Sequence, residues 1–298
     1  MSDLMMYMEE QTNPKNKEEL MGLSLVVLVK QVPDTSEVSE DVMKPDGTLN
    51  REALPSVINP EDLNALEEAL KLKDKTGAKV TVISMGPPKA SEVLKDCLIR
   101  GADEAILLTD KVFAGSDTQA TSYILKKAIE KTGKFDVIFC GRQAIDGDTA
   151  QVGPQVAEKL DINQLTYVME IIDFKDSEVT VKRERGNGFE VVKSSLPVLL
   201  TITSQANTPR PQKAKKAMAL KNIPTLTPDQ GRDEKNYIKT WDHLFIGADI
   251  NRCGLKGSPT KVKKVESAIL KKIETKEVNS TEQGLAEMFK ELFEDHIL

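Results

Sequence analysis

Short runs of apolar and β-branched residues, each followed by a segment with helical apolar spacing, constrain this chain more than any other feature. The first run, Leu25-Val26-Val27-Leu28-Val29, stops at Lys30-Gln31-Val32-Pro33. A continuous apolar run closed by a turn is the pattern of a strand buried on both faces, as in a parallel sheet. Asn59-Pro60-Glu61-Asp62 then opens a helix, with Asn59 placed to cap it and Pro60 suited to its first turn. Leu63, Leu66, Ala69, Leu70 and Leu72 form its apolar face, and Gly77 ends it. The alternation continues through a strand at 79–84, a helix at 89–99, a strand at 105–108, a helix at 118–130 and a strand at 135–140. A further helix is predicted from about 149 to 160. Crossover helices between short buried strands specify an α/β fold on a parallel sheet with right-handed connections.

Beyond that point the apolar period becomes two. Segments 168–174, 178–185, 189–192 and 198–203 are separated by turn residues at Lys175-Asp176-Ser177 and Gly186-Asn187-Gly188, and read as added hairpin strands. Another tight turn is predicted at Lys44-Pro45-Asp46-Gly47-Thr48. From Gln205 onward, Pro209, Pro211, Pro224, Pro228 and Pro259 interrupt a polar, lysine-rich tail with few strong core segments. Such a tail is expected to be an extended C-terminal arm that crosses a partner. A last helix at 280–293 sets Leu285, Met288, Phe289 and Leu292 on one face, for burial against another subunit or its own domain. Lys213, Lys215, Lys216 and Lys221 form a basic cluster, either a patch for acidic partner side chains or a solvated face. Residues 1–21 lack the basic start and apolar middle of a secretory signal. The division is therefore an N-terminal extension at 1–21, an α/β domain at 22–204, and the arm with its C-terminal helix at 205–298.

Composition matters mainly for what it excludes. Apolar residues at 39% and charged ones at 30% fit a globular chain, and no apolar run approaches the ~20 residues of a membrane span. A net charge of -6 gives no bulk attraction to nucleic acid. Cys97, Cys140 and Cys253 are odd in number and widely spaced, which points to the reducing cytoplasm. Cys140 lies among apolar strand residues and reads as a small hydrophobe. His243 and His296 give a zinc or acid–base site little material, and neither has a nucleophile beside it in sequence.

Chemistry concentrates in Cys140-Gly141-Arg142-Gln143-Ala144-Ile145-Asp146-Gly147-Asp148-Thr149-Ala150-Gln151-Val152-Gly153-Pro154. This segment follows a buried strand and opens a helix, where a doubly wound sheet presents backbone N–H groups to phosphate. Gly141, Gly147 and Gly153 permit close approach of backbone, and Thr149 and Gln151 carry donors. The other reading is a glycine-rich turn capped by Asp148 or Thr149. Neither GxGxxG nor GxxxxGK[ST] occurs in the segment. Asp146 and Asp148 suit helix caps, loop braces or magnesium-side ligands better than contacts to a diphosphate.

Several segments together resemble the electron-transfer flavoprotein beta family. They are Val29-Lys30-Gln31-Val32-Pro33, Asn59-Pro60-Glu61-Asp62, Gly86-Pro87, Gly101-Ala102-Asp103 and the Gly141 to Asp148 run, in that order. Glu184, Leu196-Pro197, Ala206-Asn207-Thr208-Pro209-Arg210 and Gly257-Ser258-Pro259-Thr260 extend the likeness, which covers the chain from about Gly22. It implies a heterodimer with an alpha subunit that carries an electron-transferring FAD, and a nucleotide site in this chain. By resemblance that site takes Leu28, Asn59, Pro60, Glu61, Asp62, Met85, Ala144, Ile145, Asp146, Gly147, Asp148, Thr149, Ala150, Gln151, Val152, Gly153, Pro154 and Gln155.

One branch of the family holds structural AMP there. The electron-bifurcating branch holds a second FAD, reduced by NADH, and the small residues of 146–154 resemble that branch. The implied partners are an acyl-CoA or 2-hydroxy-acid dehydrogenase and, as low-potential acceptor, ferredoxin or flavodoxin. Ala206–Arg210 resembles the segment that docks the dehydrogenase, although Ala206 stands where leucine is frequent and offers less apolar area. Such a redox subunit is not expected to be active alone. The rival class is an adenine-nucleotide-binding regulatory domain of universal-stress-protein type.

Overall fold

A computed structural model describes residues 22–34, 55–175, 177–221, 238–260 and 277–294. They belong to two compact units, one containing the described residues from 22 to 260 and the other 277–294. The predicted turn at 44–48 and the extension at 1–21 lie outside the described residues.

In the first unit the strands are β1 (Ser24–Leu28), β2 (Gln31–Pro33), β3 (Ser56–Ile58), β4 (Lys79–Met85), β5 (Glu104–Leu108), β6 (Val137–Gly141), β7 (Asn163–Lys175), β8 (Glu178–Arg185), β9 (Gly188–Ser195), β10 (Val198–Ile202) and β11 (Ile238–Trp241). Its helices are α1 (Pro60–Thr76), α2 (Ser91–Arg100), α3 (Thr118–Thr132), α4 (Val152–Leu160), α5 (Ala214–Leu220) and the single turn α6 (Gly254–Gly257). In the second unit α7 (Glu282–Glu294) carries the predicted apolar spacing of Leu285, Met288, Phe289 and Leu292.

One nine-stranded sheet runs β11-β5-β4-β1-β6-β10-β7-β8-β9, and β2 pairs with β3 in a small antiparallel sheet. Neighbours from β11 to β7 are parallel, whereas β7, β8 and β9 form an antiparallel meander. Alternating side chains of β1 enter opposite faces: Leu25 and Val27 pack in the layer of α1 and α2, Val26 and Leu28 in that of α3 and α4. Burial on both faces accounts for the unbroken apolar runs in the sequence. The chain builds outward from β1 to β4 and β5, then crosses back to place β6 on the other side of β1. This reversal makes the carboxyl ends of β1 and β6 a topological switch point, the position where α/β sheets form a ligand crevice.

Three sequence expectations need correction. The helix predicted from 149 begins at Val152, because Asp148 (φ 54°) and Ala150 (φ 52°) take left-handed backbone conformations that cannot extend it. The segment starting at 89 is first a 3₁₀ turn, Pro88–Ala90, and becomes α-helical at Ser91. The strand predicted at 168–174 is longer, because β7 also pairs with β10 through Asn163, Gln164 and Leu165. An unpredicted strand, β11, lies parallel to β5, and Trp241, Ile246, Ala248 and Cys253 join the core beneath α3. Among the described residues no helix is long and apolar enough to cross a membrane.

Candidate functional site

Asp62, in the first turn of α1, forms the floor of the crevice. Its Oδ2 accepts from the Lys30 N–H just past β1, and its Oδ1 accepts from the Gly141 N–H at the end of β6, both at 2.8 Å. One carboxylate thus ties together the two strands that flank the reversal. Burial pushes the Asp62 carboxyl up to about 7, against the lowering effect of hydrogen bonds from Gly141, Lys30 and Asn59 and of the Lys30 charge.

The neighbouring residues of α1 shape the loop that leaves β6. Glu61 accepts from Arg142 through Nε (3.1 Å) and Nη2 (3.0 Å), and from the Gln143 N–H (3.0 Å). Asn59 stands at the N-cap position but makes no capping hydrogen bond. Its Nδ2 donates instead to the Gln143 carbonyl (2.8 Å) and its Oδ1 accepts from the Ile145 N–H (3.1 Å). The expected cap is therefore a loop template, with Pro60 at the first helical position leaving no N–H to satisfy there. Arg142 is committed to Glu61 and lies 5.6 Å from the centre of the Tyr167 ring.

Past Ile145 the loop turns. The Ala144 carbonyl accepts from Gly147 N–H (3.3 Å) and Asp148 N–H (2.9 Å). Positive φ at Ala150 followed by helical angles at Gln151 is an alternation that aims successive N–H groups toward one side, as anion-binding nests do. The residue before α4, Gln151, supplies no side-chain cap, so neither Asp148 nor Thr149 caps the helix as one sequence reading held. The Gln151 side chain thus leaves the first-turn N–H groups of Val152 and Gly153 uncapped. Gln151 accepts from Thr118 Oγ1 (3.0 Å), and Gln155 accepts from Ser122 Oγ (3.0 Å), so both bind α4 to α3. Asp146, anticipated as a brace, receives the Lys30 ammonium at 2.7 Å on each oxygen.

The glycines divide by role. A Cβ on Gly141 would lie 2.5 Å from Asp62 Oδ1, and one on Gly153 would lie 2.8 Å from Cys140 Sγ. Those two serve packing within the protein. A Cβ on Gly147 would meet nothing within 4 Å, so of these three glycines it alone has open space beside it. Cys140 is buried, and burial pushes its thiol up, away from reactivity.

The remaining sequence-derived positions gather around the same sheet edge. Leu28 ends β1 and is buried, Met85 ends β4 and is half-buried, and Ile145, Asp146, Gly147, Asp148 and Thr149 are exposed along the loop. Pro154 lies in the first turn of α4.

Sequence reasoning missed a second network on α1. Arg210 donates to the buried Glu67 through Nε (2.8 Å), Nη2 (3.1 Å) and its backbone N–H (3.0 Å). Asn207 donates to Glu68 and to the Asn64 carbonyl, both at 2.9 Å, while Asn64 Nδ2 donates to the Asn207 carbonyl (2.8 Å). Polar residues at 61, 64, 67 and 68, spaced three and four apart, carried the signal. The same spacing describes a solvated helix face.

The electron transfer flavoprotein domain model matches residues 46–229. An electron transfer flavoprotein subunit beta of Thermoanaerobacterium thermosaccharolyticum is 49% identical over 243 residues, 80% of this chain and 86% of the relative. The caffeyl-CoA reductase-Etf complex subunit CarD of Acetobacterium woodii is 45% identical, over 80% of this chain and 86% of its own length. The acryloyl-CoA reductase electron transfer subunit gamma of Anaerotignum propionicum is 41% identical, over 93% of this chain and 100% of its own. With a family match across most of the α/β unit and identity near one half over four fifths of its length, the chain belongs to the beta-subunit family of electron transfer flavoproteins.

Proposed function

We propose that this chain pairs with an alpha subunit and holds an FAD in the crevice between β1 and β6. In this reading the crevice residues would hold an FAD that would supply acceptance of electrons from NADH and their release along two routes. One leads through the FAD of the alpha subunit to a dehydrogenase, the other to a low-potential acceptor such as ferredoxin or flavodoxin. The carrying observation is the loop after β6, where Gly147 has open space around it and the start of α4 has no side-chain cap. A dinucleotide diphosphate needs such a backbone surface. Ala144 to Gln155 would hold the phosphates, with Leu28 and Met85 at the strand ends and Asn59 to Asp62 fixing the loop from behind.

When bound, FAD supplies hydride acceptance and one-electron release, and the protein supplies position and electrostatics. Arg142, spent on Glu61, contributes by shaping the loop. Two relatives are named for caffeyl-CoA and acryloyl-CoA reductases, which favours an acyl-CoA dehydrogenase over a 2-hydroxy-acid dehydrogenase as partner. Ala206 to Arg210 is assigned to that partner, the C-terminal arm within 205–298 to the alpha subunit, and the complex to the cytoplasm. The second reading, structural AMP in the same crevice, rests on the same backbone surface.

Denaturing the purified heterodimer and quantifying its nucleotides is expected to release two FAD molecules per heterodimer. One FAD with one AMP would leave family membership intact and remove the bifurcating reading.

A further inference from the structure

The residues just past β1 and β6 include two cations, Lys30 and Arg142, held in very different ways. Arg142 binds Glu61, whose side chain is 11% exposed, through two nitrogens. Lys30 binds Asp146 with side chains 47% and 32% exposed. The Lys30 backbone is fixed by its N–H bond to Asp62, so its side chain starts from a rigid point at the end of β1. Its ammonium reaches from the end of β1 to a carboxylate one residue before Gly147, where a Cβ would meet nothing within 4 Å. A solvated ion pair of this kind is held weakly, whereas a phosphate offers more charge and more acceptor oxygens than one carboxylate.

We propose that Lys30 is a phosphate-contacting cation of this crevice, kept in place by Asp146 until a nucleotide phosphate takes over its ammonium. The proposal rests on the nucleotide reading of the crevice and adds a residue and an exchange of partners to it. Asp146 then acts as a competitor for Lys30, and its release also removes the strap between β1 and the loop tip. A brace with no ligand role would behave differently, because loosening it from either end would disorder the loop and weaken binding.

The two substitutions therefore have opposite expected signs. The test uses the full heterodimer, freed of its crevice nucleotide by dialysis against a mild chaotrope and returned to buffer, with AMP, FAD and adenosine titrated separately by calorimetry. Lys30→Met is expected to weaken AMP about tenfold and to leave adenosine within about twofold. Asp146→Asn is expected to tighten AMP several-fold while leaving adenosine unchanged. Weakening of AMP by both substitutions, or equal loss of AMP and adenosine in Lys30→Met, would overturn the proposal in favour of a plain brace. A wild-type complex that binds neither AMP nor FAD would overturn the nucleotide reading itself, and this inference with it.

Discussion

Arg210→Met is expected to destabilise the α/β unit by about 3–5 kcal/mol, the scale for stripping one partner from a buried ion pair. Glu67 is 7% exposed at its side chain, and its described partner groups are the guanidinium and backbone N–H of Arg210. Removing the guanidinium leaves a carboxylate with one hydrogen bond in a low-dielectric setting. Asp74, also paired to Arg210, is 59% exposed and loses little. Urea unfolding followed by circular dichroism measures the change. Adding Glu67→Met to the variant is expected to restore most of it, because an apolar pair of similar volume avoids the stranded charge. Equal stability of wild type and Arg210→Met would show that the clamp holds nothing.

Gly141→Ala is the second large effect. The new Cβ would stand 2.5 Å from Asp62 Oδ1 and 2.8 Å from the Asp62 backbone N, so backbone rather than a flexible side-chain end must yield. Overpacking of this kind costs about 1–3 kcal/mol. It also separates Gly141 N–H from the carboxylate that ties β6 to β1. Lower thermal stability and loss of the crevice nucleotide are expected together, measured by melting temperature and nucleotide content. A variant that keeps both would mean that Asp62 does not set the crevice floor.

The sheet was legible because strands buried on both faces leave unbroken runs, as in Leu25 to Val29 and Val198 to Leu200. Strand β11 left almost no trace: in Ile-Lys-Thr-Trp only the two ends are buried, and the pairing with β5 supplies what the local pattern lacks. The loop was found from its glycines and its place after a strand, yet its helix start was set too early. Asp visits positive φ more readily than most residues, but the positive φ at Ala150 is a tertiary choice that its residue type does not announce. Asn59 had the signature of a cap and serves the loop instead, since the choice between N–H partners is made by what packs nearby. The acids of α1 read equally as a solvated face until Arg142, Asn207 and Arg210 are seen against them.

Gly147→Val tests the central claim most directly, because position 147 is open to a ligand and not to the protein. A Cβ there meets nothing within 4 Å, so melting temperature should remain near wild type. With a nucleotide in the crevice, the same side chain blocks close approach of the loop backbone. The measurement is the quantity of FAD or AMP released per heterodimer on denaturation, variant against wild type. The expected result is one nucleotide fewer in the variant, with the FAD of the alpha subunit retained. Equal nucleotide content in the two proteins would contradict the placement of the cofactor at this loop.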